Sequence, residues 1–203
     1  MSLTPAAVVL DLGGVLFRLL PERRLAAFAE LTGHSPEQVR RRLFDSGFSR
    51  SCDAGQLGTD AAHREGVRLL GRRLGLSRFR RLWASAYEPD AAVVSLARRL
   101  KPHTQLALLT NSSTLTREGL EAAFPEVLDL FRPRLFSAEA GQLKPDPRLF
   151  RTLLDLLGLE PARVLYVDAA PVNVDAAAAL GFATHAFQDA VGLEALLRDR
   201  GLL

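Results

Sequence analysis

Short apolar runs and helical stretches alternate along much of this chain. Apolar runs at 7–10, 105–110, 163–168 and 182–187, with a shorter one at 134–137, have the length and residue types of buried strands. Helical spacing of apolar positions fills 91–100, 113–124, 146–157 and 172–180, with Gly158 and Gly181 as stop signals. Strands alternating with helices predict an α/β fold: a parallel sheet with helices on both faces.

One stretch breaks the alternation. From Pro21 to about Ala91 the pattern is helical, with no strand signal. Leu25, Phe28, Ala29 and Leu31 share one helix face, and Ser35-Pro36-Glu37 is a start signal for a helix through Val39 and Leu43. Thr59 or Asp60 is the expected cap of a helix ending near Gly75, and 77–87 is a further helix carrying Leu82, Trp83 and Tyr87. The expected organisation is a core of residues 1–17 and 92–203 with an all-helical insert at 18–91. Trp83, Tyr87 and Phe48 fit either the insert's own core or the lining of a site.

Composition narrows the function classes. The chain has 203 residues, 48% hydrophobic and 24% charged, as in a globular protein. No run of apolar residues is long enough for a membrane span, and the N-terminus carries no basic leader, so neither a span nor a signal peptide is expected. Cys52 stands alone, which excludes an internal disulfide and fits the cytoplasm. His34, His63, His103 and His185 lack zinc-type spacing. The net charge is +3, and of 26 basic residues only Lys101 and Lys144 are lysines. The scattered arginines read as solvated helix faces, without the aromatic interleaving or motif of a nucleic-acid surface.

Candidate chemistry sits where strands end. The run Ala7-Val8-Val9-Leu10 leads into Asp11 and then Gly13-Gly14. A charge at the carboxyl end of a parallel strand lies where open α/β sheets bind ligands. Two other strands end in polar residues, Thr110-Asn111 and Asp168. The loop Gly141-Gln142-Leu143-Lys144-Pro145-Asp146-Pro147 presents a lysine in a chain that otherwise prefers arginine. A carboxylate, a hydroxyl with backbone N–H groups, and a compact cation suit a phosphoryl group.

These four segments resemble, in order and in element context, the motifs of the haloacid dehalogenase-like (HAD) hydrolase superfamily, of the type with a small helical cap. The segment Asp53-Ala54-Gly55-Gln56-Leu57 and the run Gly13-Gly14-Val15-Leu16 are similar to the sugar-phosphatase-like branch. The resemblance implies a Rossmann-like core, a cap formed by the insert, and hydrolysis of a small phosphorylated metabolite through an aspartyl-phosphate on Asp11. It implies that Thr110 and the backbone of Asn111 hold phosphoryl oxygens, that Gly13 lies against the substrate, and that Lys144 steadies nucleophile and phosphate. It also implies Mg2+ at Asp11 and the carbonyl of Gly13. A monomer or homodimer is expected.

Two positions depart from the family pattern. Gly13 stands where the second aspartate, an acid/base, is usual, and Ala169 stands where a magnesium ligand is usual. Asp168 or Asp175 is the candidate replacement ligand. Two alternatives follow: a catalytically impaired HAD fold that binds a ligand or partner, and a metal-free haloacid dehalogenase-type hydrolase with Arg42 as its substrate or halide arginine.

Overall fold

The computed structural model describes residues 4–100 and 104–203; Lys101 and His103 lie outside the described residues. Five strands form one parallel sheet: β1 (Ala7–Leu10), β4 (Gln105–Thr110), β5 (Arg134–Phe136), β6 (Val164–Asp168) and β7 (Ala183–Ala186). Their spatial order is β5-β4-β1-β6-β7, which puts β1 at the centre. Two further strands, β2 (Phe17–Leu19) and β3 (Tyr87–Pro89), make a separate antiparallel ribbon.

The central strand is buried on both faces, so it reads as an unbroken apolar run. Val8 and Leu10 join one apolar cluster, with helix Ala91–Leu100 and helix Ala190–Asp199. Ala7 and Val9 join the other, with helix Pro147–Leu157 and helix Pro171–Ala179. This is the period-two alternation of a strand between two helical layers. Helix Ala190–Asp199 is absent from the sequence expectation. Its signal was there: the Asp189 side chain caps it, accepting from the Gly192 N–H at 2.7 Å, and Leu193 and Leu197 share its buried face.

The segment between β2 and β3 folds into helices Pro21–Thr32, Pro36–Arg40, Phe48–Asp53, Thr59–Leu70 and Leu76–Ala84, with one wider π-helical turn at Arg41–Asp45. Ser35 starts the second by a capping box with Gln38. Phe28, Leu43, Phe48, Phe79 and Trp83 form a third apolar cluster inside this segment, joined by Leu115 from helix Thr114–Ala123. Trp83 and Phe48 are therefore packing residues here.

Three boundaries differ from the sequence expectation. The fourth helix stops at Leu70, because Gly71 takes a left-handed conformation that ends it before Gly75. Thr59 is its first residue, not its cap; the hydroxyl contacts Thr114 at 2.9 Å and Glu118 at 2.6 Å instead. The fifth helix ends at Ala84, and Tyr87 belongs to β3, paired with Leu19 across the ribbon. A three-residue ribbon has too few positions to show a period of two.

Contact across the helical segment is close. A Cβ on Gly55, which has φ +74°, would lie 2.3 Å from the Ala138 carbonyl oxygen. Only glycine lets those two backbones meet.

Candidate active site

Parallel pairing brings the strand ends to one edge. Leu10 is in register with Leu108 and with Val167, so Asp11 emerges beside Thr110 and Asp168. The Asp11 N–H extends the ladder to the Val167 carbonyl at 2.9 Å. The chain then turns at Gly14, with φ +88° and its N–H bonded to the Phe17 carbonyl at 2.8 Å.

A cavity of about 360 Å³ lies at this edge, and Asp11, Gly13, Thr110, Asn111, Lys144 and Asp168 all line it. The sequence-predicted site residues are thus brought together. Leu19, Tyr87, Ser112, Ala169, Ala170 and Asn173 complete the wall.

Lys144 is the hub. Its Nζ lies 2.9 Å from Asp11 Oδ1 and 2.7 Å from Asp168 Oδ2, and donates to the Leu109 carbonyl at 3.0 Å. Asp168 and the Leu109 carbonyl accept hydrogen bonds from it, while Asp11 Oδ1 faces it as an ion pair and accepts no hydrogen bond among the described residues. The side chain is 1% exposed, so the group depends on these partners for its charge. Asn111 fixes the loop that carries it: Oδ1 accepts from the Lys144 N–H and Nδ2 donates to the Lys144 carbonyl. The Thr110 and Ser112 hydroxyls are bonded to each other at 3.0 Å.

The two carboxylates are held differently. Burial pushes the Asp11 carboxyl above its usual range, with the Asp168 charge adding to the shift and Lys144 opposing it. Burial acts upward on Asp168 as well, but Lys144, the Tyr166 hydroxyl and the Ala170 N–H together hold it below the usual range. Asp168 Oδ2 accepts from Lys144, from Tyr166 and from Asn173 Nδ2 at 3.0 Å, while Oδ1 accepts from the Ala170 N–H at 2.8 Å. Tyr166 and Asn173 did not stand out in the sequence. They lie two residues before and five after Asp168, in an apolar strand and a small-residue helix.

The donors present lack the second carboxylate expected for a magnesium site. Asp168, expected as a ligand, is committed to four hydrogen-bond donors. Residue 169 offers a methyl group to the cavity, and Asp175 is exposed and does not line it. Asp11 already shares one oxygen with Lys144. Among the described residues no three His, Cys, Asp or Glu side chains are grouped to hold a metal. That leaves one carboxylate, Asp11, and the backbone of Gly13, the low end of the one or two carboxylates by which magnesium is held.

Arg42, the expected dehalogenase-type arginine, is exposed on the helical segment and donates to the Leu69 carbonyl at 2.7 Å. It takes no part in the cavity, because the chain folds its helix outward. His34 and His63 face the carbonyls of Leu70 and Leu74.

The family model described as haloacid dehalogenase-like hydrolase matches residues 5–181. This chain is a member of that family. A curated relative, D-ribitol-5-phosphate phosphatase from Bacteroides thetaiotaomicron, is 23% identical over 185 residues, 87% of this chain and 89% of its own. The crystal structure of a HAD family enzyme from the same bacterium, in complex with magnesium and inorganic phosphate, superposes with a TM-score of 0.80 at 22% identity, covering 93% of this chain and 98% of that one. The L-2-haloacid dehalogenase from Xanthobacter autotrophicus superposes with a TM-score of 0.62 at 19% identity, covering 98% of this chain and 84% of that one. At these identities the solved structures establish the shared HAD fold.

Proposed function

We propose that this HAD-like hydrolase is a phosphomonoester phosphatase acting on a small phosphorylated metabolite. One observation carries the reading. A single carboxylate, Asp11, sits on the cavity wall with one oxygen 2.9 Å from a buried ammonium, which leaves Oδ2 to attack phosphorus. Lys144 opposes the upward shift that burial imposes on Asp11 and neutralises charge on the phosphoryl group. The Thr110 hydroxyl and the backbone at Asn111 hold phosphoryl oxygens. Residues 18–91 act as a cap on a core of 1–17 and 92–203, excluding water when substrate is bound. The sugar-phosphatase relative supports a phosphorylated metabolite as substrate. No described helix is long and apolar enough to cross a membrane, and the single buried cysteine suits the cytoplasm. A monomer or homodimer is the expected assembly.

Ala169 and the fully bonded Asp168 favour a second reading, a HAD fold that binds phosphoester and turns it over poorly. The dehalogenase reading loses its supporting residue with Arg42 on the outer surface.

The deciding experiment compares phosphate release from a panel of phosphomonoesters by the natural protein and by Asp11→Asn. The expected result is turnover by the natural protein and a loss of roughly a thousandfold or more in the variant, with unchanged thermal unfolding. Binding of phosphoesters without turnover by either protein would establish the second reading. Equal turnover by both would reject Asp11 as nucleophile.

A further inference from the structure

Phosphoester cleavage leaves an alkoxide that must be protonated, and residue 13 has no side chain to do it. The other donors on the cavity wall have roles already. One of the Thr110 and Ser112 hydroxyls donates to the other and the remaining O–H is left for the phosphoryl oxygens, Asn111 holds the Lys144 backbone, and Lys144 and Asn173 hold Asp168. One polar side chain on the wall has no protein partner among the described residues: the hydroxyl of Tyr87.

Its position matches the gap. A Cβ built on Gly13 would lie 3.7 Å from Tyr87 Cε1, the ring carbon next to the one that bears the hydroxyl. The Tyr87 ring therefore borders the space that a side chain at 13 would enter. The ring is held from two sides. Phe17 meets it edge-on, with centroids 6.2 Å apart, and the Arg24 guanidinium lies 5.4 Å from its centroid. Arg24 is itself buried, and its Nε and Nη2 have no hydrogen-bond partner, so the surrounding rings, Trp83 at 4.8 Å among them, are what it packs on. Pairing of Tyr87 with Leu19 in the ribbon fixes the backbone. A pinned ring with a free hydroxyl on a cavity wall is a preorganised donor.

We propose that Tyr87 is a catalytic residue that donates the proton to the leaving-group oxygen, in the space beside Gly13. The proposal rests on the phosphatase reading above. In the first step Asp11 Oδ2 forms a bond to phosphorus as the bond from phosphorus to the leaving oxygen breaks. That oxygen takes the Tyr87 proton and departs as an alcohol. In the second step water attacks the aspartyl-phosphate, its proton returns to the Tyr87 phenolate, and phosphate and the Asp11 carboxylate are released.

The test is Tyr87→Phe, which keeps the ring, assayed on two substrates. Glycerol phosphate has a strongly basic leaving group and needs the proton; 4-nitrophenyl phosphate has a weakly basic one and does not. The variant is expected to lose about a hundredfold in kcat on glycerol phosphate and less than about threefold on 4-nitrophenyl phosphate, with KM little changed. Adding Gly13→Asp to Tyr87→Phe is expected to recover glycerol phosphate turnover, because the new Cβ meets only an ordinary contact and the carboxyl enters the same space. Equal losses on both substrates would show a packing role and overturn the proposal, as would no loss on glycerol phosphate. A natural protein inactive on every phosphoester, with Asp11→Asn the same, would overturn the phosphatase reading and this proposal with it. Activity abolished by Asp11→Asn but indifferent to Tyr87→Phe would overturn this proposal alone.

Discussion

Asn111 holds Lys144 by both of its backbone polar groups: the Lys144 N–H donates to Asn111 Oδ1 at 2.7 Å, and Asn111 Nδ2 donates to the Lys144 carbonyl at 3.0 Å. The two residues are 33 apart in the chain. A side-chain amide carries a donor and an acceptor side by side and so can satisfy a backbone N–H and C=O at once. It places the lysine backbone against the end of β4, and from there Nζ reaches two carboxylates and a carbonyl.

Asn111→Ala removes both bonds and is expected to destabilise the protein by about 1–3 kcal/mol, the cost of leaving buried polar groups unpaired. The effect on catalysis is expected to be larger. A displacement of Lys144 by an ångström would lower kcat/KM by roughly a hundredfold. Thermal unfolding and phosphatase kinetics on the same preparations check both. Full activity in a destabilised variant would show that the amide serves the fold alone.

Ala169 is the second point of leverage. Its methyl group lines the cavity beside Asp11, where a carboxylate would add the oxygen that Asp168 cannot spare. Ala169→Asp is expected to bind Mg2+ at least tenfold more tightly than the natural protein. Titration calorimetry with magnesium alone reads this directly. Equal magnesium affinity in both proteins would show that the oxygens already present are sufficient, and that the metal site is not limited by residue 169.

Asp53 links stability to pH. Burial raises its carboxyl to about 7, against the opposing pull of Arg24 and the Ser113 N–H. The folded state therefore keeps this proton at pH values where the unfolded chain, titrating near ~4, has lost it. With more protons bound in the folded state, stability falls as pH rises from about 4 to about 7. Asp53→Asn has no such proton. Relative to the natural protein it is expected to gain stability across that window and to hold the gain above it. Urea unfolding of both proteins at several pH values measures the difference. A gap that does not change with pH would show that Asp53 titrates alike in the folded and unfolded states.

Much of the fold was legible because its signals are local. Ala7-Val8-Val9-Leu10 is buried on both faces, so the strand appears as an unbroken apolar run that stops where Asp11 begins. Gly158 and Asp146 mark helix ends by backbone requirements that neighbouring residues set. Asp11, Thr110, Asp168 and Lys144 could be placed at one edge because parallel strands share a carboxyl end. What the sequence by itself determined, then, was the α/β class, the order of the sheet strands along the chain, and the meeting of Asp11, Thr110, Asp168 and Lys144 at one edge.

The tertiary structure decided what each of those residues does there. Asp168 looks like a spare carboxylate in sequence, yet Lys144, Tyr166, Asn173 and the Ala170 N–H engage both its oxygens. Arg42 has a plausible distance from Asp11 along the chain and faces outward in space. Tyr87 shares a helical pattern with Trp83 in sequence, but Trp83 is buried in the insert while Tyr87 pairs with Leu19 and reaches the cavity. The physical reason is the same in each case. A strand or a cap is specified by neighbours within a few residues, whereas a hydrogen-bond partner across a cavity depends on where distant segments are brought by packing.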